Sequence, residues 1–120
     1  MPEAPFDKAE LLARVGGDWD LLREIVGLFL AEGPVRVAEI RKAIDGMDTA
    51  TLMASAHALK GAVSVFGARP AVEAALRLEQ LGRAGNLAHA REGLTLLDET
   101  MTALMPALEA LMKEESPCGS

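Results

Sequence analysis

The chain has 120 residues and a mass of 12.7 kDa, half of it hydrophobic, which suffices for one domain with a single core. Aromatics make up only 3% and Tyr is absent, while Ala, Leu and Met dominate the apolar set and favour helix over pleated sheet. A net charge of -6 with no basic stripe argues against a nucleic-acid backbone as partner, the lone Cys118 in the tail cannot close an internal disulfide or build a thiolate cage, and no apolar run approaches the roughly 20 residues needed to cross a bilayer.

The expected class is all-α and the expected setting a reducing cytoplasm. The opening Met1-Pro2-Glu3-Ala4-Pro5 is acidic and proline-rich, unlike a secretory leader, so residues 1–5 are predicted to be a flexible start. Asp7 with Glu10 three residues on forms a capping-box pattern. A short first helix is therefore predicted from about Phe6 to Val15, apolar along Leu11, Leu12 and Val15 and ended by Gly16-Gly17. Asp18 or Asp20 is placed to cap a second, long segment in which Trp19, Leu22, Val26, Phe29, Val37, Ile40 and Ile44 recur at helical spacing. Gly33-Pro34 should kink or split that segment, and Gly46 should end it.

Asp48 or Thr49 is placed to cap a third helix running to about Phe66, where Gly67 supplies a left-handed stop. Pro70 suits the first turn of a fourth helix reaching about Arg83, and Gly85-Asn86 forms the turn from which the last helix starts at Asn86. In that helix Leu87, Ala90, Leu94, Leu97, Met101, Leu104, Leu108 and Leu111 alternate steps of three and four, with Pro106 expected to bend it. Short glycine-bearing connections between long amphipathic helices predict antiparallel neighbours. The expected architecture is an up-and-down antiparallel four-helix bundle with a short extra N-terminal helix, spanning residues 6–114 and followed by a flexible tail over 115–120.

The third helix separates into two faces. At about 100° per residue, Leu52, Ala56, Leu59, Val63 and Phe66 fall within roughly 40° of one direction, the core side. His57 lies about 140° away from it, Ser64 about 120°, Gly61 about 180° and Lys60 about 80°. The angle argues against a satisfied core histidine and leaves an exposed one, idle or functional. Lys60 and Gly61 share its patch one turn on: a flexible ammonium suits a phosphoryl group as a point charge. A helix-interior glycine, costing roughly 1 kcal/mol against Ala, asks for a close approach, either a tight helix crossing or an incoming partner.

The run His57-Ala58-Leu59-Lys60-Gly61, with Gly67 six residues beyond Gly61, resembles the signature of histidine-containing phosphotransfer domains. The likeness extends over the helix order, the Leu78-Glu79 pair and the Gly85-Asn86-Leu87 turn, from about Phe6 to Met112. It implies a phosphorelay module, a phosphoprotein in which His57 accepts a phosphoryl group from a receiver-domain aspartate and passes it to another receiver. By the same likeness Lys60 neighbours the phosphate, and Gly61 is kept small for the docking receiver. Glu79 stands where relatives carry Gln or Glu near the histidine, placed to orient the ring through Nδ1. In the Val63-Ser64-Val65 stretch Ser64 is the remaining candidate for side-chain support, and Val65 offers the partner an apolar contact. The resemblance implies that the receiver, or a hybrid sensor kinase carrying one, brings the aspartate and Mg²⁺, leaving no cofactor or metal to this chain. A monomer that associates transiently, without nucleic acid or membrane insertion, is expected.

A neutral imidazole is nucleophilic near neutral pH and forms a high-energy phosphoramidate, a suitable waypoint between two aspartyl phosphates. The sequence has no Gly-x-x-x-x-Gly-Lys-Ser/Thr loop and no Gly-x-Gly-x-x-Gly, so it reads as a carrier and not as an ATP-dependent kinase. Three rivals stand beside this reading. The first is the phosphoacceptor module of a chemotaxis-type kinase; the second is a metal-binding bundle, for which the chain lacks any Glu-x-x-His and offers only an isolated His89/Glu92 pair; the third is a helical adaptor that would not need His57. The six Met residues read as core filler.

Overall fold

A computed structural model describes residues 5–114; residues 1–4 of the expected flexible start and the expected tail over 115–120, Cys118 included, lie outside the described residues. Among the described residues the chain is all-helical, without strands: α1 (Lys8–Arg14), α2 (Trp19–Asp45), α3 (Thr49–Ser64), α4 (Arg69–Ala84) and α5 (Ala90–Met112).

Three aspartates open the first three helices. Asp7 Oδ1 accepts the Glu10 amide at 3.0 Å, Asp18 accepts those of Asp20 and Leu21 at 3.0 and 3.1 Å, and Asp48 accepts that of Thr51 at 3.0 Å. Each satisfies first-turn N–H groups that have no partner inside the helix. The Thr51 hydroxyl also donates to Asp48 Oδ2 at 2.6 Å.

The structure departs from the sequence reading in α2, α3 and α5. α2 is not split at Gly33-Pro34: Pro34 sits on the exposed side and the helix runs on through it. α3 stops at Ser64, and Phe66 lies in the following turn, yet remains buried and packs on Phe29 with ring centroids 5.1 Å apart. Gly46 ends α2 as expected, with an ordinary negative φ, and the left-handed residue is its neighbour Met47, at φ +55°. α5 begins at Ala90 rather than Asn86, because the Asn86 amide donates back to Leu81 and closes α4 instead of opening the next helix. Pro106 lies inside α5, which stays uninterrupted around it.

α2 packs on α3 and α5, α3 on α4, and α4 on α5, while α1 rests against α2. Along α2 and α5, Gly33 faces Met101, Arg41 bonds Asp98 and Asp45 bonds Arg91. The enclosed core takes Leu22, Val26, Phe29, Ile40 and Ile44 from α2 and Leu94, Leu97, Met101, Leu104, Leu108 and Leu111 from α5, as the periodicity requires; Val37 and Leu87 are only half-buried. Each fully buried leucine contributes about 1.5–3 kcal/mol. The Asp7 amide donates to the Phe66 carbonyl at 3.0 Å, which ties α1 to the turn between α3 and α4.

Candidate functional site

The rotation of α3 is fixed by its buried side. Leu52, Ala56, Leu59 and Val63 are all at 0% exposure, so the residues opposite them must face out, and the His57 side chain is 69% exposed. The approach of α4 is fixed by a glycine. A Cβ on Gly82 would lie 2.9 Å from the Met53 amide nitrogen and 3.2 Å from the Thr49 carbonyl oxygen, a separation only a residue without a side chain permits. One turn before this crossing, α4 carries Glu79 to the foot of His57.

Glu79 is the centre of the cluster. Its Oε1 is 3.2 Å from His57 Nδ1 and 2.8 Å from Lys60 Nζ, and its Oε2 is 3.0 Å from Arg83 Nη2. The carboxylate is 5% exposed, and among the described residues no buried side-chain polar atom lacks a partner. A buried carboxylate is tolerated only when paired, and here an ammonium, a guanidinium and an imidazole surround it. The Lys60 hydrogen bond holds the Glu79 carboxyl below the usual carboxylate range; burial opposes this and the His57 hydrogen bond adds to it.

An ionised carboxylate can only accept. In the neutral ring Nδ1, which faces Glu79, is therefore the nitrogen that carries the proton, and the lone pair is on Nε2, the nitrogen turned away from the carboxylate in a mostly exposed side chain. Lys60, 26% exposed, is drawn over this carboxylate and does not extend freely into solvent. Gly61 is exposed, and among the described residues a Cβ placed there would meet nothing within 4 Å and no helix crossing keeps it small. The Ser64 hydroxyl donates to the Lys60 carbonyl at 2.7 Å, fixing the turn that bears Lys60 rather than the imidazole itself. Val65 is half-buried against the core.

The cluster thus unites His57, Lys60 and Glu79, with Gly61 beside them and Ser64 behind. Arg83 was not singled out from the sequence. Its signal was available: Glu79 and Arg83 are four apart on one helix, the spacing at which opposite charges meet. His89 and Glu92, 3.6 Å apart and both exposed, meet at the start of α5, where Glu92 also lies 3.9 Å from Arg77 Nη2. Among the described residues no three His, Cys, Asp or Glu side chains cluster as metal ligands would, and no helix is long and apolar enough to cross a membrane.

The family model of the Hpt domain matches residues 24–110. The chain belongs to the Hpt domain family. No curated protein and no solved structure gives a significant match. Hpt domains serve histidine phosphotransfer in phosphorelays, as carriers rather than kinases, and interact with receiver domains. The match covers most of α2, all of α3 and α4, and α5 nearly to its end, so the whole His57 cluster falls inside it.

Proposed function

We propose that this Hpt domain carries a phosphoryl group on Nε2 of His57, taken from the aspartate of one receiver domain and delivered to that of another. The observation that carries this reading is the Nδ1 contact with buried Glu79 in a side chain that is otherwise mostly exposed. It presents Nε2, with its lone pair, to an approaching acyl phosphate.

In the forward step the Nε2 lone pair forms the N–P bond while the P–O bond to the receiver's aspartate breaks, and that carboxylate leaves with the electron pair. The ring keeps its Nδ1 proton and becomes cationic; Glu79 faces that new charge. The reverse step returns the phosphoryl group to a second aspartate. Phosphoryl transfer of this loose kind depends on alignment and charge neutralisation more than on covalent work by the carrier. Lys60 is the cation that turns toward the phosphoryl oxygens, Gly61 leaves the adjacent surface bare for the receiver's backbone, and Mg²⁺ and the acidic pocket belong to the receiver.

The supporting scaffold is read as an up-and-down bundle of α2 to α5 within a single module over residues 6–114. The contacts that pair rising numbers on α2 with falling numbers on α5, and Gly82 and Glu79 with Thr49 and His57 on α3 and α4, support this order. The proposed working form is a monomer in the cytoplasm. Incubating the protein with a ³²P-labelled phospho-receiver tests the assignment: His57→Gln should fold normally and take up no label, and acid-labile label retained on that variant would refute it.

A further inference from the structure

Resting on the reading of His57 as phosphoacceptor, we propose that Arg83 is a positioning residue that takes over Glu79 when Lys60 leaves it for the phosphoryl group, so that the carboxylate stays against Nδ1 in the phosphorylated state. The argument starts from the division of Glu79's two oxygens. Oε1 is shared by His57 Nδ1 and Lys60 Nζ, at 3.2 and 2.8 Å, while among the described residues Oε2 is held by Arg83 as its one charged partner, at 3.0 Å. Lys60 therefore competes with the imidazole for one oxygen, and Arg83 competes with neither.

Before phosphorylation two cations lie against the 5%-exposed carboxylate, Lys60 on one oxygen and Arg83 on the other. Once a phosphoryl group sits on Nε2, its nearly two negative charges on three acceptor oxygens outbid a single carboxylate for the ammonium. Lys60 is suited to the move, a point charge on a flexible four-carbon stem, and Arg83 to staying, with a planar fork four residues from Glu79 on the same helix. If Lys60 left and nothing else held Glu79, the carboxylate would face a desolvation cost with only the ring as partner, and rotation out to water would strip Nδ1 of its acceptor. No atoms are gained or lost in this exchange. One N–H···O bond moves from carboxylate to phosphoryl oxygen, and the Nδ1 proton remains on Nδ1.

The test is the protonation state of Nδ1, read from long-range ¹H–¹⁵N spectra of the His57 ring at fixed pH, before and after chemical phosphorylation with phosphoramidate. Wild type and Lys60→Gln should show a protonated Nδ1 in both states, because Arg83 holds Glu79 throughout. Arg83→Gln should match wild type when unphosphorylated and shift toward the unprotonated Nδ1 position when phosphorylated. The double variant should lose the Nδ1–H signature in both states, and Arg83→Lys should restore the wild-type pattern. Arg83 is 66% exposed, so its replacement leaves the core untouched. A phosphorylated Arg83→Gln protein indistinguishable from wild type would overturn the proposal, as would loss of the Nδ1 proton already in its unphosphorylated form. Failure of phosphoramidate to label His57 in the wild type would instead overturn the phosphoacceptor reading itself.

Discussion

Glu79 reaches His57 across 22 residues of sequence and stands 3.2 Å from its Nδ1, a contact made by the α3–α4 crossing and by nothing local to either helix. A ring held through one nitrogen has a defined tautomer and a defined direction for the other. Glu79→Gln keeps a carbonyl oxygen able to accept from Nδ1 but drops the charge that gathers Lys60 and Arg83. Transfer from a phospho-receiver should slow about tenfold in that variant and further in Glu79→Ala, by analogy with the roughly 10–100-fold lost when the partner that orients a metal-bound histidine is removed. Rapid-quench kinetics with a phospho-receiver measures it, and helical circular dichroism should be unchanged. Wild-type rates in Glu79→Ala would show that the ring needs no such support.

The same carboxylate makes stability depend on pH with a definite sign. Glu79 is held below the usual carboxylate range chiefly by Lys60, and Asp48 is held below it chiefly by the Thr51 hydroxyl and amide. A group whose folded value is depressed contributes stability that is present above its unfolded value and lost as pH falls through the folded one. Thermal midpoints should therefore drop between about pH 5 and pH 2, and the drop should be shallower in Glu79→Gln and in Asp48→Asn, which keeps the cap acceptor without the titrating charge. Identical slopes for wild type and both variants would contradict the assignment of these two groups.

The apolar spacing of α3 was legible in the sequence because helical geometry alone sets which side of a segment is buried: Leu52, Ala56, Leu59 and Val63 are fully enclosed, and His57 faces out as their angles require. The caps were legible to within a choice, Asp7 directly, Asp18 against Asp20 and Asp48 against Thr49, because capping is decided within one turn. What the sequence could not fix was the relation between helices. Lys60 reads as a free ammonium beside His57 until α4 is seen to bring Glu79 under both, and Arg83 has no role until Glu79 does. Asn86 was misread as a helix start because its amide closes a Schellman-type turn on Leu81, a partner that the turn residues alone do not reveal. Gly82, which sets the spacing of the whole cluster, looks in the sequence like any other helix-interior glycine.

Gly61 and Gly82 should respond in opposite ways to the same added methyl group. At Gly61 a Cβ meets nothing within 4 Å, so Gly61→Ala gains helix propensity without strain and should stabilise the protein by up to about 1 kcal/mol, a rise of a few degrees in Tm. At Gly82 a Cβ would lie 2.9 Å from the Met53 amide nitrogen, a backbone atom that cannot swing aside. Gly82→Ala should destabilise by about 1–3 kcal/mol through overpacking, and by forcing α4 away from α3 it should also draw Glu79 off His57. Transfer rates then separate the two further: Gly61→Ala should label normally with phosphoramidate yet exchange more slowly with a receiver, because the added methyl obstructs only an incoming partner, whereas Gly82→Ala should alter the ¹⁵N signature of the His57 ring with no partner present. Thermal denaturation of the two variants decides the first half of this contrast. A Gly61→Ala protein less stable than wild type would mean that something within the chain, and not a docking domain, requires that position to be bare.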